Sequence, residues 1–246
     1  MLLKKEEISL EYNGQQVPFV IINEARRSVR VAFGSKAITL RLPWMMSAGK
    51  KQDHIEKSKE WALKQLKTKP GLLTKFFGKC YQHGQILQIG KKKYIISILF
   101  HERNVNKALI KGNLLELHLA TSNKESQQPE IIRYLIARSV ANDFFPQIES
   151  RVHELNNLYF KKNIKEVRLK LSQTNWGSCS TQGNINLSAR LLFAPPVVID
   201  YVIIHELAHL IEHNHSQRFW NVVAKAMPNY EEHDKWLLKN SHFCDF

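Results

Sequence analysis

The sequence predicts an α+β protein in two parts: a β-rich basic region over residues 1–125, and a largely helical region over 126–246 built around an HExxH helix. Three observations carry this. Short runs of β-branched and apolar residues alternate through the first hundred positions. Positive charge is concentrated in the same half: residues 1–130 hold 23 Lys and Arg against 11 Asp and Glu, and the remainder holds 13 against 11. Further on, an apolar stretch of helical length leads into "HELAHLIEHNHS", residues 205–216, with four histidines and two glutamates in twelve positions.

In chain order, "VPFVII", "SVRVAF", "AITLRLP" and "KYIISILF" read as strands separated by Gly, Asn or charged turns. Between them, residues 53–67 have Ile55, Ala62, Leu63 and Leu66 on one helical face and Lys57, Lys64 and Lys67 toward solvent. The polar stretch 118–130 is the candidate linker. "EIIRYLIARSVANDFF" then has helical spacing, and Pro146 is expected to end or kink that helix before "QIESRVHELNNLYF" resumes it. "KEVRLKLS" and "INLSARLLF" read as strands flanking a loop or hairpin turn, "QTNWGSCSTQGN". Pro195 and Pro196 suit the first turn of a helix expected to run from 196 to about 212. "SQRFWNVVAKAMP" and "EEHDKWLLKN" read as two more helices, and no internal repeat stands out.

Composition narrows the class. The chain has 246 residues, 43% hydrophobic and 24% charged, which is enough apolar material for a substantial core. Apolar runs such as "YIISILF" are too short to cross a bilayer, and no secretory signal is evident, so a cytoplasmic protein without a membrane partner is expected. Three dispersed cysteines, Cys80, Cys179 and Cys244, form no CxxC pair and suggest neither a disulfide framework nor a thiolate zinc site. The net charge of +14 fits either a solvated lysine-rich surface or a nucleotide or nucleic-acid partner for the basic half.

The chemistry resides in the histidines. On a helix, His205 and His209 stand about 40° apart and one turn along, so both rings can reach one ion, and two neutral imidazoles suit Zn²⁺. Glu206 lies beside them, placed to take a proton from an activated water. A catalytic zinc site needs a third protein ligand, for which Glu212, His213 and His215 are candidates. His213 would lie two turns along a continued helix. His215 follows "HN", where the chain can turn back, with Ser216 as N-cap of the next helix, and geometry favours it.

The residues "WGSCS" at 176–180, "LLFAPPVVIDYVIIHELAHL" at 191–210 and "NHSQRFW" at 214–220 resemble the YgjP-like metallopeptidases of the zincin group. The likeness extends from about residue 25, through strands of the "SVRVAFGSKAITLRLP" kind and a lysine-rich helix with Trp61. It implies a zincin-like catalytic part, Zn²⁺ as cofactor, His205, His209 and His215 as zinc ligands, and Glu206 as the catalytic glutamate. One departure is visible: the family usually has a basic residue before WGSC, and this chain has Asn175.

The expected function is therefore a zinc metallopeptidase that cleaves peptide or protein substrates with a zinc-activated water and Glu206 as general base. Strand "NINLSARLL" is a candidate edge for aligning the peptide. Two alternatives are a metal-dependent nucleotide pyrophosphatase and a nucleic-acid-associated SprT-like protease, both using the basic half. Around the WGSC run, Trp176 and Gly177 could form a wall of the site, Ser178 could donate a hydrogen bond and Cys179 could be a nucleophile, but a packed loop is the plainer reading. Phe219 and Trp220 read as core anchors.

Overall fold

Asn13 and Gly14, at φ 51° and 75°, make the two-residue turn that pairs β1 (Lys4–Tyr12) with β2 (Gln15–Glu24). This Asn-Gly turn belongs to the type whose twist matches a hairpin. The computed structural model describes residues 4–34, 36–69, 72–73, 76, 78–241 and 243–246. The described chain is a mixed α+β protein that divides into two units, Met1–Lys79 and Cys80–Phe246.

In the first unit, β3 (Arg30–Phe33) pairs antiparallel with β4 (Ile38–Pro43), and β4 lies parallel to β2, giving the order β1-β2-β4-β3. Alternation decides which face is covered. Val17, Phe19 and Ile21 of β2 and Ile38, Leu40 and Leu42 of β4 share a core with Ala62 and Leu66 of α1 (Ala48–Thr68). The opposite face carries Thr39 and Arg41.

The second unit begins with the same plan. β5 (Ile86–Ile89), β6 (Lys92–His101), β7 (Lys107–Lys111) and β8 (Leu114–Ala120) form a sheet in the order β5-β6-β8-β7, again with one parallel pair between two antiparallel ones. A helix follows here too, α2 (Gln128–Leu155). The repeat that the sequence does not display is thus present in topology. The 118–130 stretch is the end of β8, a short turn and the start of α2, so the boundary expected at 125/126 falls inside the second unit.

Helix α2 runs through Pro146 without a break and ends in a π-helical turn, Asn156–Phe160. Proline removes one N–H, and its orphaned acceptor is the carbonyl of Asn142. Pro146 and Asn142 are both exposed, so water can satisfy that carbonyl. A third sheet, β10-β11-β9, is built from β9 (Glu166–Lys170), β10 (Gly177–Cys179) and β11 (Asn184–Ser188), with β9 parallel to β11. Because β11 lies between two partners, the strand expected to offer a free edge has none; β10 does.

Three helices complete the unit: α3 (Pro196–Ala208), α4 (Gln217–Ala226) and α5 (Tyr230–Asn240). Helix α3 is apolar on nearly every side, with Val198, Val202, Ile203, Ile204 and Leu207 buried in one core with residues of β8, α2 and α4. Among the described residues no helix is long and apolar enough to cross a membrane.

Candidate metal centre

Helix α3 carries His205 and Glu206 in its last turn, and His209 is its C-cap, still in helical geometry. The helix therefore stops at Ala208, short of the expected 212, and the chain turns. The His209 ring explains part of that turn, because its Nδ1 lies 3.1 Å from the Glu212 carbonyl oxygen. Donation from Nδ1 to that oxygen fixes the tautomer and leaves Nε2 free as a ligand. After the turn, the Ser216 side chain accepts from the Phe219 N–H and starts α4, which brings His215 back over the helix end.

His205, His209 and His215 each offer a ring nitrogen within 4.8 Å of the others, and among the described residues no other metal-ligating group clusters this way. The Nε2 atoms of His205 and His215 are 3.0 Å apart. Two nitrogens on a tetrahedral zinc with bonds of about 2.0–2.1 Å are about 3.3 Å apart, so the spacing fits. His213 is exposed and outside the cluster, and Glu212 contributes its backbone. Behind the rings sits Phe219, fully buried, with its centroid 4.9, 4.5 and 4.8 Å from those of His205, His209 and His215. Trp220 stacks on His215 from one side and on Tyr230 from the other. The two aromatic residues are thus the packing anchors expected, and what they anchor is the histidine cluster.

Burial, reinforced by repulsion from His209 and His215, lowers the His205 pKa to about 4. The same two effects, burial first, lower that of His209 against its hydrogen bond to Glu212. Neutral imidazoles are the form that binds a metal, so the lowered pKa values of His205 and His209 suit a divalent cation such as zinc.

Glu206 is 5% exposed, and burial raises its pKa to about 8. A neighbouring dication would oppose that shift and favour the carboxylate. The side chain packs directly on Gly177 of β10: a Cβ added there would lie 2.5 Å from Glu206 Oε1. The glycine of the WGSC run is therefore a close-approach residue. Cys179 is half-buried, and burial, then the charge of Glu206, raises its thiol pKa to about 11, which leaves little nucleophilic thiolate. The hydroxyl of Ser178 accepts from Asn186 Nδ2.

Beside the cluster, a cleft of about 290 Å³ is lined by Trp176, Gly177, Tyr201, His205, Glu206 and Asp234, among others. Tyr201 donates to Asp234 at 3.1 Å. Two supports escape the sequence reading. Arg151 of α2 grips Asp200 of α3 through two bonds of 2.8 and 2.7 Å, pinning the start of the helix. Arg190 lies over the Trp176 ring at 4.6 Å and donates to the carbonyls of Gln173, Ser241 and Cys244. Neither arginine sits in a recognisable motif, and by sequence Asp200 suits only the positive end of its helix dipole.

The family model for the YgjP-like metallopeptidase domain matches residues 26–240. Among solved structures, the chain is similar to the metallopeptidase zymogen abylysin of Pyrococcus abyssi, with 26% identity over 37% of this chain and 93% of that one and a TM-score of 0.35. It is also similar to the metallopeptidase zymogen jannalysin of Methanocaldococcus jannaschii, with 19% identity over 38% and 95% of the two chains and a TM-score of 0.33. No curated protein matches the chain.

Proposed function

Because the chain belongs to the YgjP-like family of metallopeptidase domains, we propose that it is a zinc-dependent, zincin-like peptidase with His205, His209 and His215 as the metal ligands and Glu206 as the general base. All four lie within residues 126–246, which we take as the catalytic region. The observation that carries this reading is the convergence of three imidazoles beside a buried carboxyl that lines the same cleft.

Zinc supplies Lewis acidity toward water and the scissile carbonyl. The chain's own residues do the rest. Glu206, pressed against Gly177, accepts the proton of the attacking water and returns it to the leaving amine. The outer edge of β10 is unpaired in its sheet, next to the same carboxyl, and can hold a peptide as an added strand. Trp176, held under Arg190, walls the cleft.

The phosphoanhydride alternative has less behind it. The cleft lining contains two carboxylates, Glu206 and Asp234, and no Lys or Arg, and Asn175 stands among the lining residues. A triphosphate there would find no guanidinium or ammonium donor.

Metal analysis joined to peptide-library profiling tests the proposal. Wild type should retain about one zinc per chain. Glu206→Gln should retain it too while turnover falls by about 10²–10⁴-fold. His215→Ala should lose the metal. Peptidase activity persisting in zinc-loaded Glu206→Gln removes Glu206 from the role.

A further inference from the structure

The uncovered face of the first sheet gathers charge in a way the peptidase reading neither uses nor requires. On β4, Thr39 and Arg41 point away from the core, and the β3–β4 register sets Arg30 directly opposite Arg41. Like charges at facing positions of an antiparallel pair repel. One carboxylate serves the neighbourhood: Glu24 accepts from Arg26 Nη1 at 3.0 Å and from Arg41 Nη1 at 2.8 Å. Arg30 has no ion-pair partner among the described residues, and Arg26 Nε is buried without an acceptor.

These four side chains, with Gly34 and Thr39, line a cavity of about 580 Å³, well within the size range of ligand sites. Three guanidinium groups against one carboxylate leave two positive charges and several unused N–H donors facing one space. A carboxylate ligand supplies one charge and two oxygens. A phosphate supplies nearly two charges and three oxygens, and planar guanidinium groups match it in bidentate fashion.

We propose that the open face of the first sheet is a phosphate-binding site, with Arg26, Arg30 and Arg41 as the donors and Glu24 as the group that holds two of them in place. The phosphate belongs either to a small molecule or to a nucleic-acid strand, which share this chemistry.

The test is calorimetric titration of the full chain with inorganic pyrophosphate and with a short single-stranded oligonucleotide. Three proteins are compared: wild type, Arg30→Gln, and Lys64→Gln/Lys67→Gln on the exposed side of α1. Thermal melting in the absence of ligand establishes that each variant is folded. Arg30→Gln should bind at least about tenfold more weakly, and the lysine variant should match wild type within about twofold. If pyrophosphate binds more tightly than the oligonucleotide, the source is a small phosphorylated molecule; the reverse order identifies a strand. The proposal is overturned by absence of binding to either probe, by equal affinity of Arg30→Gln and wild type, or by an equal loss in the lysine variant, which would mean diffuse charge. It is also overturned if a glutamate-rich peptide binds more tightly than both probes with the same dependence on Arg30.

Discussion

The two four-stranded sheets follow one course, two hairpins joined by a central parallel pair and then a helix, yet they differ on both faces. On the covered face, the first sheet closes with α1 over a core of its own, whereas Leu115, Leu117 and Leu119 of the second belong to the core that also contains Phe219, the ring behind the histidines. On the open face, the central strand of the first carries Arg41 opposite Arg30. The central strand of the second carries Glu116, which accepts from Lys111 and lies 3.4 Å from His118 Nε2. The hydrogen bond from Lys111 holds the Glu116 carboxyl below its ordinary pKa. One topology thus supports two arrangements: a carboxylate tied to Lys111 beside His118 on one sheet, and a cavity lined by three arginines on the other. Strand order fixes positions; the residues at those positions decide use.

Core deletions test the comparison hardest. Leu40→Ala and Leu117→Ala each remove a fully buried side chain and should cost about 2–5 kcal/mol. Only Leu117→Ala should also weaken zinc retention, as read by metal content after dialysis against a mild chelator. Equal zinc loss in Leu40→Ala would show that the cores are not independent. Gly177→Ala comes next: its methyl group collides with Glu206, so turnover should fall by about 10²-fold with zinc retained. The open faces should answer with opposite signs. Arg30→Gln relieves repulsion and should raise the melting temperature slightly, Lys111→Gln removes an attraction and should lower it, and about 1 M salt should erase both shifts. The smallest effect concerns thiols. At pH 8 iodoacetamide should label exposed Cys80 and spare Cys179, whose raised pKa keeps the neutral thiol dominant until about pH 11. Mass spectrometry of the labelled peptides across pH reads this directly, and rapid labelling of Cys179 at pH 8 would contradict its burial.

What the sequence disclosed was local. Helices α4 and α5, strands β9 and β11 and the lysine-rich α1 announce themselves through periodicity and caps such as Ser216. The histidine cluster was legible for the same reason, since two of its three members share one helix end with Glu206. Strand β1 was missed although Ile8, Leu10 and Tyr12 alternate with polar residues and lead into Asn13-Gly14, because the charges in "KKEE" mask the pattern. Strands β5, β7 and β8 escaped as short segments between lysines. Pairing across non-adjacent strands was not readable at all: the parallel match of β9 with β11, which makes β10 the edge, joins residues 18 positions apart with β10 between them in the chain. The repeat is likewise invisible residue by residue, since it conserves order and direction rather than side chains. Arg151 and Arg190 stood outside every pattern because their roles exist only once α2, α3 and the final segment have met.

Arg190 makes the far carboxy-terminal stretch a working part of the cleft. Two of its three carbonyl acceptors, on Ser241 and Cys244, belong to that stretch, while its flat face braces the indole of Trp176. Trimming those last residues, or displacing them with a fused tag, would slacken a wall some sixty positions upstream, and peptide selectivity would drift before the metal was ever disturbed.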